Sequence, residues 1–220
     1  SAASDVYKRQ GFYNPTGIKV DNAGIIYVAD NSNQTIRQVT SAGVVTTLAG
    51  GVQVVGSADG TGSTARFYNP VDIVPDNAGN IYIADTSNHT IRKVTTAGVV
   101  TTIAGFPGVP GAVDGVGTYA RFNAPYGISI SANGNLYVAD RSNSTIRKVT
   151  PAGVVTTVAG IPGSPGYEDG IVNAIGTGGA IPVISTQPMA SSIVDSGTLT
   201  VSVTATGTGL TYQWRRDGVN

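Results

Sequence analysis

One stretch of 39 residues governs what this chain can fold into, because it occurs three times at a fixed spacing of 55. "FYNPTGIKVDNAGIIYVADNSNQTIRQVTSAGVVTTLAG" starts at Phe12, "FYNPVDIVPDNAGNIYIADTSNHTIRKVTTAGVVTTIAG" at Phe67, and "FNAPYGISISANGNLYVADRSNSTIRKVTPAGVVTTVAG" at Phe122. Pro15, Pro70 and Pro125 hold the register, as do Asp30, Asp85 and Asp140, and the Asp-Gly pairs at Asp59, Asp114 and Asp169. A period of this length without insertion signals a stacked or circular repeat, each unit burying its apolar face against the next.

Within a unit the turn chemistry separates four short strands. The first, residues 17–20, ends at Asp21-Asn22-Ala23-Gly24, where Asx side chains and a glycine suit a hairpin turn. The second, residues 26–29, is apolar on both alternating faces, so layers must lie above and below its sheet. The third, residues 35–39, ends at a turn that accepts Pro151 in the last unit, and the fourth spans residues 44–49. High Gly and β-branched content with few charged helix formers agrees with an all-β chain. Small four-stranded sheets repeated in sequence and covered on both faces are blades of a β-propeller.

These residues resemble the NHL repeat, marked by Pro-x-Gly-Ile, an Asp-x-x-Gly turn, Ile-Tyr-Val-Ala-Asp and Asn-x-x-Ile-Arg. The trailing "VVTTVAG" and Asp-Gly segment is similar to the longer-period form found in bacterial surface proteins and teneurin-like propellers. The resemblance implies a ring of six blades, of which residues 11–65, 66–120 and 121–175 supply three. The fold expected is therefore a partial β-propeller followed by something else. Residues 176–184 form a Gly-rich linker, and residues 185–220 alternate with period two towards Tyr212-Gln213-Trp214. That segment resembles a truncated bacterial immunoglobulin-like β-sandwich. Residues 1–10 break the register; Asp5 to Gln10 matches the translation of a sequencing-library adapter, GAT GTG TAT AAG AGA CAG, and is expected to be an artefact.

Composition removes several functions. The net charge is zero, from 13 basic and 13 acidic residues, and no basic run occurs, so no nucleic-acid partner is expected. No apolar stretch reaches the ~18 residues of a spanning helix. The chain has no Cys and one His, His89, too few to build a zinc site like that of the lyases with related propellers. No Gly-x-Ser-x-Gly, phosphate loop or His-Glu-x-x-His occurs.

The second-to-third connection and the long crossover to the next unit emerge on one side of the disc, which makes that side the default binding face. Asp30, Asn33 and Arg37 recur as Asp85, Asn88, Arg92 and Asp140, Asn143, Arg147. A ring of carboxylates holding metals is one reading. The scaffold reading has Asp and Asn bonding turn amides while Arg braces a neighbouring blade. The Asp-Gly pairs read as turns, since they lack the alternating carboxylates of a calcium loop. Asp72 stands where the other units have Gly17 and Gly127, near the axis, as a possible ligand or a solvated side chain. Tyr13, Tyr68 and Tyr126 form either an aromatic rim for sugars or peptides, or covers for the seams between blades.

The expected function is a non-enzymatic scaffold of an extracellular or cell-surface bacterial protein, without catalytic residues or cofactor, recognising a protein or glycan through Tyr13, Tyr68, Tyr126, Asn69 and Asp72. The alternatives are a metal-dependent lactonase- or lyase-like enzyme, with Ca²⁺ or another divalent ion at the channel near Asp72 and Asn69, and a structural spacer in an adhesin.

Overall fold

The computed structural model describes residues 11–166, together with the backbone of two short strands, Val183–Thr186 and Thr204–Thr206. Most of the expected immunoglobulin-like segment, and residues 1–10, lie outside the described residues. The two short strands pair antiparallel and belong to a separate compact unit, residues 167–220.

Residues 11–166 form three antiparallel sheets. The first holds β1 (Pro15–Val20), β2 (Ile26–Asp30), β3 (Thr35–Val39) and β4 (Val45–Ala49), in that spatial order. Its strand bounds differ from the sequence reading by two residues or fewer, because alternating apolar residues and Asx-Gly turns set them locally. The second sheet holds β5 (Gly60–Thr61), β6 (Pro70–Pro75), β7 (Ile81–Asp85), β8 (Thr90–Val94) and β9 (Val99–Ala104), in the order β5-β9-β8-β7-β6. The third repeats this with β10 (Gly115–Val116), β11 (Pro125–Ile130), β12 (Leu136–Asp140), β13 (Thr145–Val149) and β14 (Val154–Ala159). The four-stranded expectation thus needs correction for the second and third sheets. The Asp59-Gly60 and Asp114-Gly115 pairs are not simple turns: Gly60 pairs with Val100 and Gly115 with Val155, adding an outer strand from the crossover.

Strand β6 lies between β1 and β11, so the inner strands of the three sheets sit side by side. Two apolar layers separate the sheets. Tyr27, Ala29, Ile36 and Ala49 of the first sheet meet Phe67, Ile73, Ile81, Ile83, Val94 and Val100 of the second sheet and its lead-in. Ala84, Ile91 and Ala104 of the second then meet Phe122, Ile128, Leu136, Val138, Val149 and Val155 of the third. The second sheet is therefore covered on both faces, as its doubly apolar strand β7 requires.

Close approach explains certain glycines. A Cβ on Gly17 would lie 2.7 Å from Asp72 Cα, so the first two inner strands can be neighbours only with glycine there. Gly50, Gly105 and Gly160 have φ of 102°, 91° and 83°, and a Cβ at each would run into the carbonyl of Gln34, His89 or Ser144.

Candidate functional site

Beneath each second-to-third connection lies a knot of buried charge. In the second sheet Asp85 Oδ1 accepts the Tyr68 N–H at 2.8 Å, while Oδ2 accepts from Asn88 Nδ2 at 2.7 Å and Arg92 Nη1 at 2.8 Å. Arg92 Nη1 also donates to the Arg66 carbonyl, and Nη2 to the Ala58 carbonyl and to Asp59 Oδ1 at 2.8 Å. The guanidinium lies over the Phe67 ring, 5.3 Å from its centre. Asp59 in turn accepts from the Thr102 N–H and hydroxyl, tying the outer strand β5 to β9. The third sheet repeats the knot with Asp140, Asn143, Arg147, Asp114 and Thr157.

This corrects the expected geometry in two respects. The aspartate bonds the amide just before its own inner strand rather than an amide of the turn, and the arginine braces its own sheet. The reason is reach: the crossover returns along the outer edge, placing Asp59 or Asp114 against the guanidinium. Burial pushes the Asp85 carboxyl up to about 6, against the opposing pull of Arg92, Asn88 and the Tyr68 amide. Asp140 is raised for the same reason. With both oxygens bonded inside the protein, neither carboxylate faces a ligand.

A second set of residues ties one sheet to the next. Asp72 Oδ2 accepts the Ile128 N–H of the third sheet at 3.0 Å, Oδ1 accepts its neighbour's Ile73 N–H at 2.9 Å, and Lys19 Nζ of the first sheet lies 3.9 Å away. The carboxylate thus spans all three inner strands. Asn69, at φ 59°, donates its N–H to Gln34 Oε1 at 2.7 Å and accepts at Oδ1 from Asn31 Nδ2. His89 plays the part of Gln34 one unit later, its Nδ1 accepting the Ala124 N–H at 3.0 Å. Burial lowers the His89 pKa, with Asp140 pulling weakly the other way.

What remains open to a partner is the crossover face. The crossover loop is pinned to the second-to-third connection in every unit by Gln53 N–H to the Asn33 carbonyl, Gly108 N–H to Asn88 and Gly163 N–H to Asn143. These loops expose Val52, Val54 and Val55 in the first unit, Phe106 and Val109 in the second and Ile161 in the third. Tyr13 and Tyr68 stand beside them, their carbonyls bonded by the Ser32 and Ser87 amides, with Tyr13 59% exposed. Tyr126 occupies a different repeat position, that of Thr16 and Val71, and is 43% exposed with the Arg141 guanidinium 5.2 Å from its ring centre. Among the described residues no group of three or more His, Asp, Glu or Cys side chains is placed to hold a metal. The described residues also contain no helix long and apolar enough to cross a membrane.

The NHL repeat matches at residues 12–39, 67–94 and 122–149. The chain carries three NHL repeats. Each match runs from the aromatic residue under the arginine to the end of the third long strand, so it holds the Asp, Asn and Arg of the knot and leaves out Asp59, Asp114 and the outer strands. NHL repeat-containing protein 2 of Bos taurus is 34% identical over 152 residues, 63% of this chain and 21% of that protein. Teneurin-4 of Mus musculus is 31% identical over 68% of this chain and 6% of its own length. The chain therefore spans 21% of the length of the first of these curated relatives and 6% of the second. Among solved structures, an auxiliary nutrient binding protein from Bacteroides ovatus superposes with a TM-score of 0.55 at 26% identity, covering 66% of this chain and 37% of that one. A second, from Bacteroides thetaiotaomicron, gives 0.52 at 26% identity.

Proposed function

We propose that the NHL repeats form a binding scaffold of an extracellular or cell-surface bacterial protein, which recognises a protein or glycan through the crossover face. The observation that carries this reading is the division of labour between polar and apolar groups. The repeated Asp, Asn and Arg side chains bond inward, and Asp72 and Asn69, on which the lactonase alternative rests, are engaged between sheets. The groups presented outward are large and apolar: Tyr13, Tyr68, Phe106, Val54 and Val109, on loops whose backbone is anchored. Rigid aromatic and aliphatic anchors on a fixed backbone bind with little ordering cost. The similarity to two auxiliary nutrient binding proteins supports the same reading.

The test is a glycan array and a peptide array probed with the labelled 220-residue chain. A restricted set of ligands should bind, and Tyr13→Ala with Tyr68→Ala should weaken them about tenfold or more at unchanged melting temperature. Absence of binding across both arrays, or binding indifferent to that pair and to Val109→Asp, would overturn the reading.

A further inference from the structure

Two arginines on the crossover face differ from those of the buried knots. Arg66 and Arg121 hold one repeat position, directly before Phe67 and Phe122, and each stands on a connection that joins two of the three sheets. Each is half-buried and fixed by its own crossover. Arg66 Nη1 donates to the Ser63 and Ala65 carbonyls at 2.5 and 2.7 Å, and Arg121 Nη1 to those of Thr118 and Ala120 at 2.5 and 2.8 Å. The loop packs against the guanidinium as well. A Cβ on Gly51 would lie 2.8 Å from Arg66 Nη1, and in the next unit the place of Gly51 is taken by Phe106, whose ring centre is 4.8 Å from the Arg121 guanidinium. A guanidinium carries five N–H groups, and the carbonyls occupy the two on Nη1. Nε and Nη2, which share one edge of the group, bond nothing among the described residues, and neither arginine forms an ion pair there. The acids of the same crossovers, Asp59 and Asp114, are taken by Arg92 and Arg147.

We infer that the binding scaffold proposed above takes an acidic glycan on its crossover face, an assignment that rests on that reading and narrows its ligand class. One sugar carboxylate lies against the Nε and Nη2 edge of Arg121, a second against that of Arg66, and a sugar ring against Tyr119. Two parallel N–H groups on a planar edge match the two oxygens of a carboxylate. Because carbonyls and loop already hold each guanidinium in place, little side-chain freedom is lost on binding. Tyr119 lies between Thr118 and Ala120, whose carbonyls hold Arg121, and at 81% it is the most exposed large apolar side chain among the described residues. Such a ring offers an apolar face for the C–H side of a sugar. The loop beside it has little to offer a peptide main chain. From Gly105 to Gly111, Pro107 and Pro110 have no N–H, and the N–H groups of Gly105, Gly108, Val109 and Gly111 are bonded to the carbonyls of Gly117, Asn88, Phe106 and Phe122. Recognition therefore falls to side chains rather than to strand-like pairing. The repeat sets both arginines in the same contacts, which suits a polymer that repeats its carboxylate along a stiff backbone.

The experiment is isothermal titration of the 220-residue chain with polygalacturonate and with alginate. Two further polymers separate sugar from charge: fully methyl-esterified polygalacturonate keeps the sugars without the charge, and polyglutamate keeps the charge without the sugars. At least one acidic glycan should bind, with the ester and polyglutamate weaker by about tenfold or more. Arg121→Gln and Tyr119→Ala should each weaken that binding about tenfold. Arg121→Gln also removes two bonds to loop carbonyls, so the comparison with the ester, and Tyr119→Ala at unchanged melting temperature, read the site without disturbing the loop. Failure of both acidic glycans to bind overturns the inference, as does equal binding of the ester or of polyglutamate, or binding that survives Arg121→Gln. In each of those cases the scaffold reading still stands if the arrays yield another ligand that is lost in Tyr13→Ala with Tyr68→Ala, and it falls too if they yield none.

Discussion

Arg92 and Arg37 occupy the same repeat position, yet their replacement by Met should differ severalfold in cost. Arg92 is wholly buried and donates to Asp85, Asp59 and the carbonyls of Arg66 and Ala58. Arg92→Met leaves the Asp85 carboxylate in the interior with Asn88 and one amide only, and removing one partner of a buried pair costs about 3–5 kcal/mol. Arg37 touches solvent and has two bonds from Nη1 among the described residues, to Asp30 at 3.1 Å and to the Gly11 carbonyl at 3.4 Å. Water can reach the group left behind, so Arg37→Met should cost about 1–2 kcal/mol. At about 2–4 °C per kcal/mol for a chain of this size, Arg92→Met lowers the melting temperature by roughly 6–20 °C. Urea titration followed by far-ultraviolet circular dichroism measures both changes, and Arg92→Met with Asp85→Asn should recover part of the loss because no buried charge is then stranded. Equal costs for the two arginines, or no recovery in the double variant, would refute the account of the knot.

Three further outcomes follow from the same contacts. His89 titrates at lower pH in the folded chain than its usual 6.5, so the unfolded chain takes up its proton first. The stabilisation from this residue is complete above pH ~6.5 and is lost as pH falls through that value towards the depressed folded pKa. The difference in stability between the unsubstituted chain and His89→Gln, which restores the acceptor used by Gln34, should therefore move against the histidine between pH 7 and 5; a constant difference would show that His89 is not the acceptor for Ala124. Gly105→Ala should cost more than about 2 kcal/mol and Gly108→Ala about 1 kcal/mol, since both have positive φ but only the first Cβ meets a carbonyl; chemical denaturation yielding similar values would contradict the packing at His89. The Thr90 hydroxyl is buried with no hydrogen-bond partner among the described residues, so Thr90→Val should stabilise the fold by about 1 kcal/mol, and a lower denaturation midpoint would place a bridging group there.

The parts of this fold visible in the sequence were those fixed by local chemistry. Alternating Ile, Tyr and Val with an Asx-Gly turn define β1 to β4 and their copies without reference to anything distant, which is why the long strands were legible nearly to the residue. The outer strands β5 and β10 were not. Each is two residues long, contains glycine and shows no apolar alternation, so only its pairing with β9 or β14 makes it a strand. The same distance hides the partner of Arg92: Asp59 lies 33 residues away, and the Asp-Gly pair looks like any turn. The equal spacing of Asp59 and Arg92, repeated as Asp114 and Arg147, was the available signal. Asp72 departs visibly from Gly17 and Gly127, but it is neither of the two things the sequence suggests, a ligand or a solvated side chain: its bond to the Ile128 amide depends on how closely three inner strands approach.

The outer strands also put the period of the polypeptide out of phase with the period of the molecule. The second sheet is closed by Gly60–Thr61, which come before Phe67, and the third by Gly115–Val116, which come before Phe122. Cutting the chain at Phe67 or Phe122, where the second and third 39-residue stretches start, therefore strips the second and third sheets of their outer strands and Arg92 and Arg147 of their second carboxylate. Deleting or duplicating 55 consecutive residues within the repeats has no such effect, because whatever the starting point, the residue that follows the join is the one the preceding segment already expects. An array built this way can be lengthened or shortened by unequal recombination at almost any point along its gene, while shuffling of single blades as modules demands a boundary near residue 56 or 111.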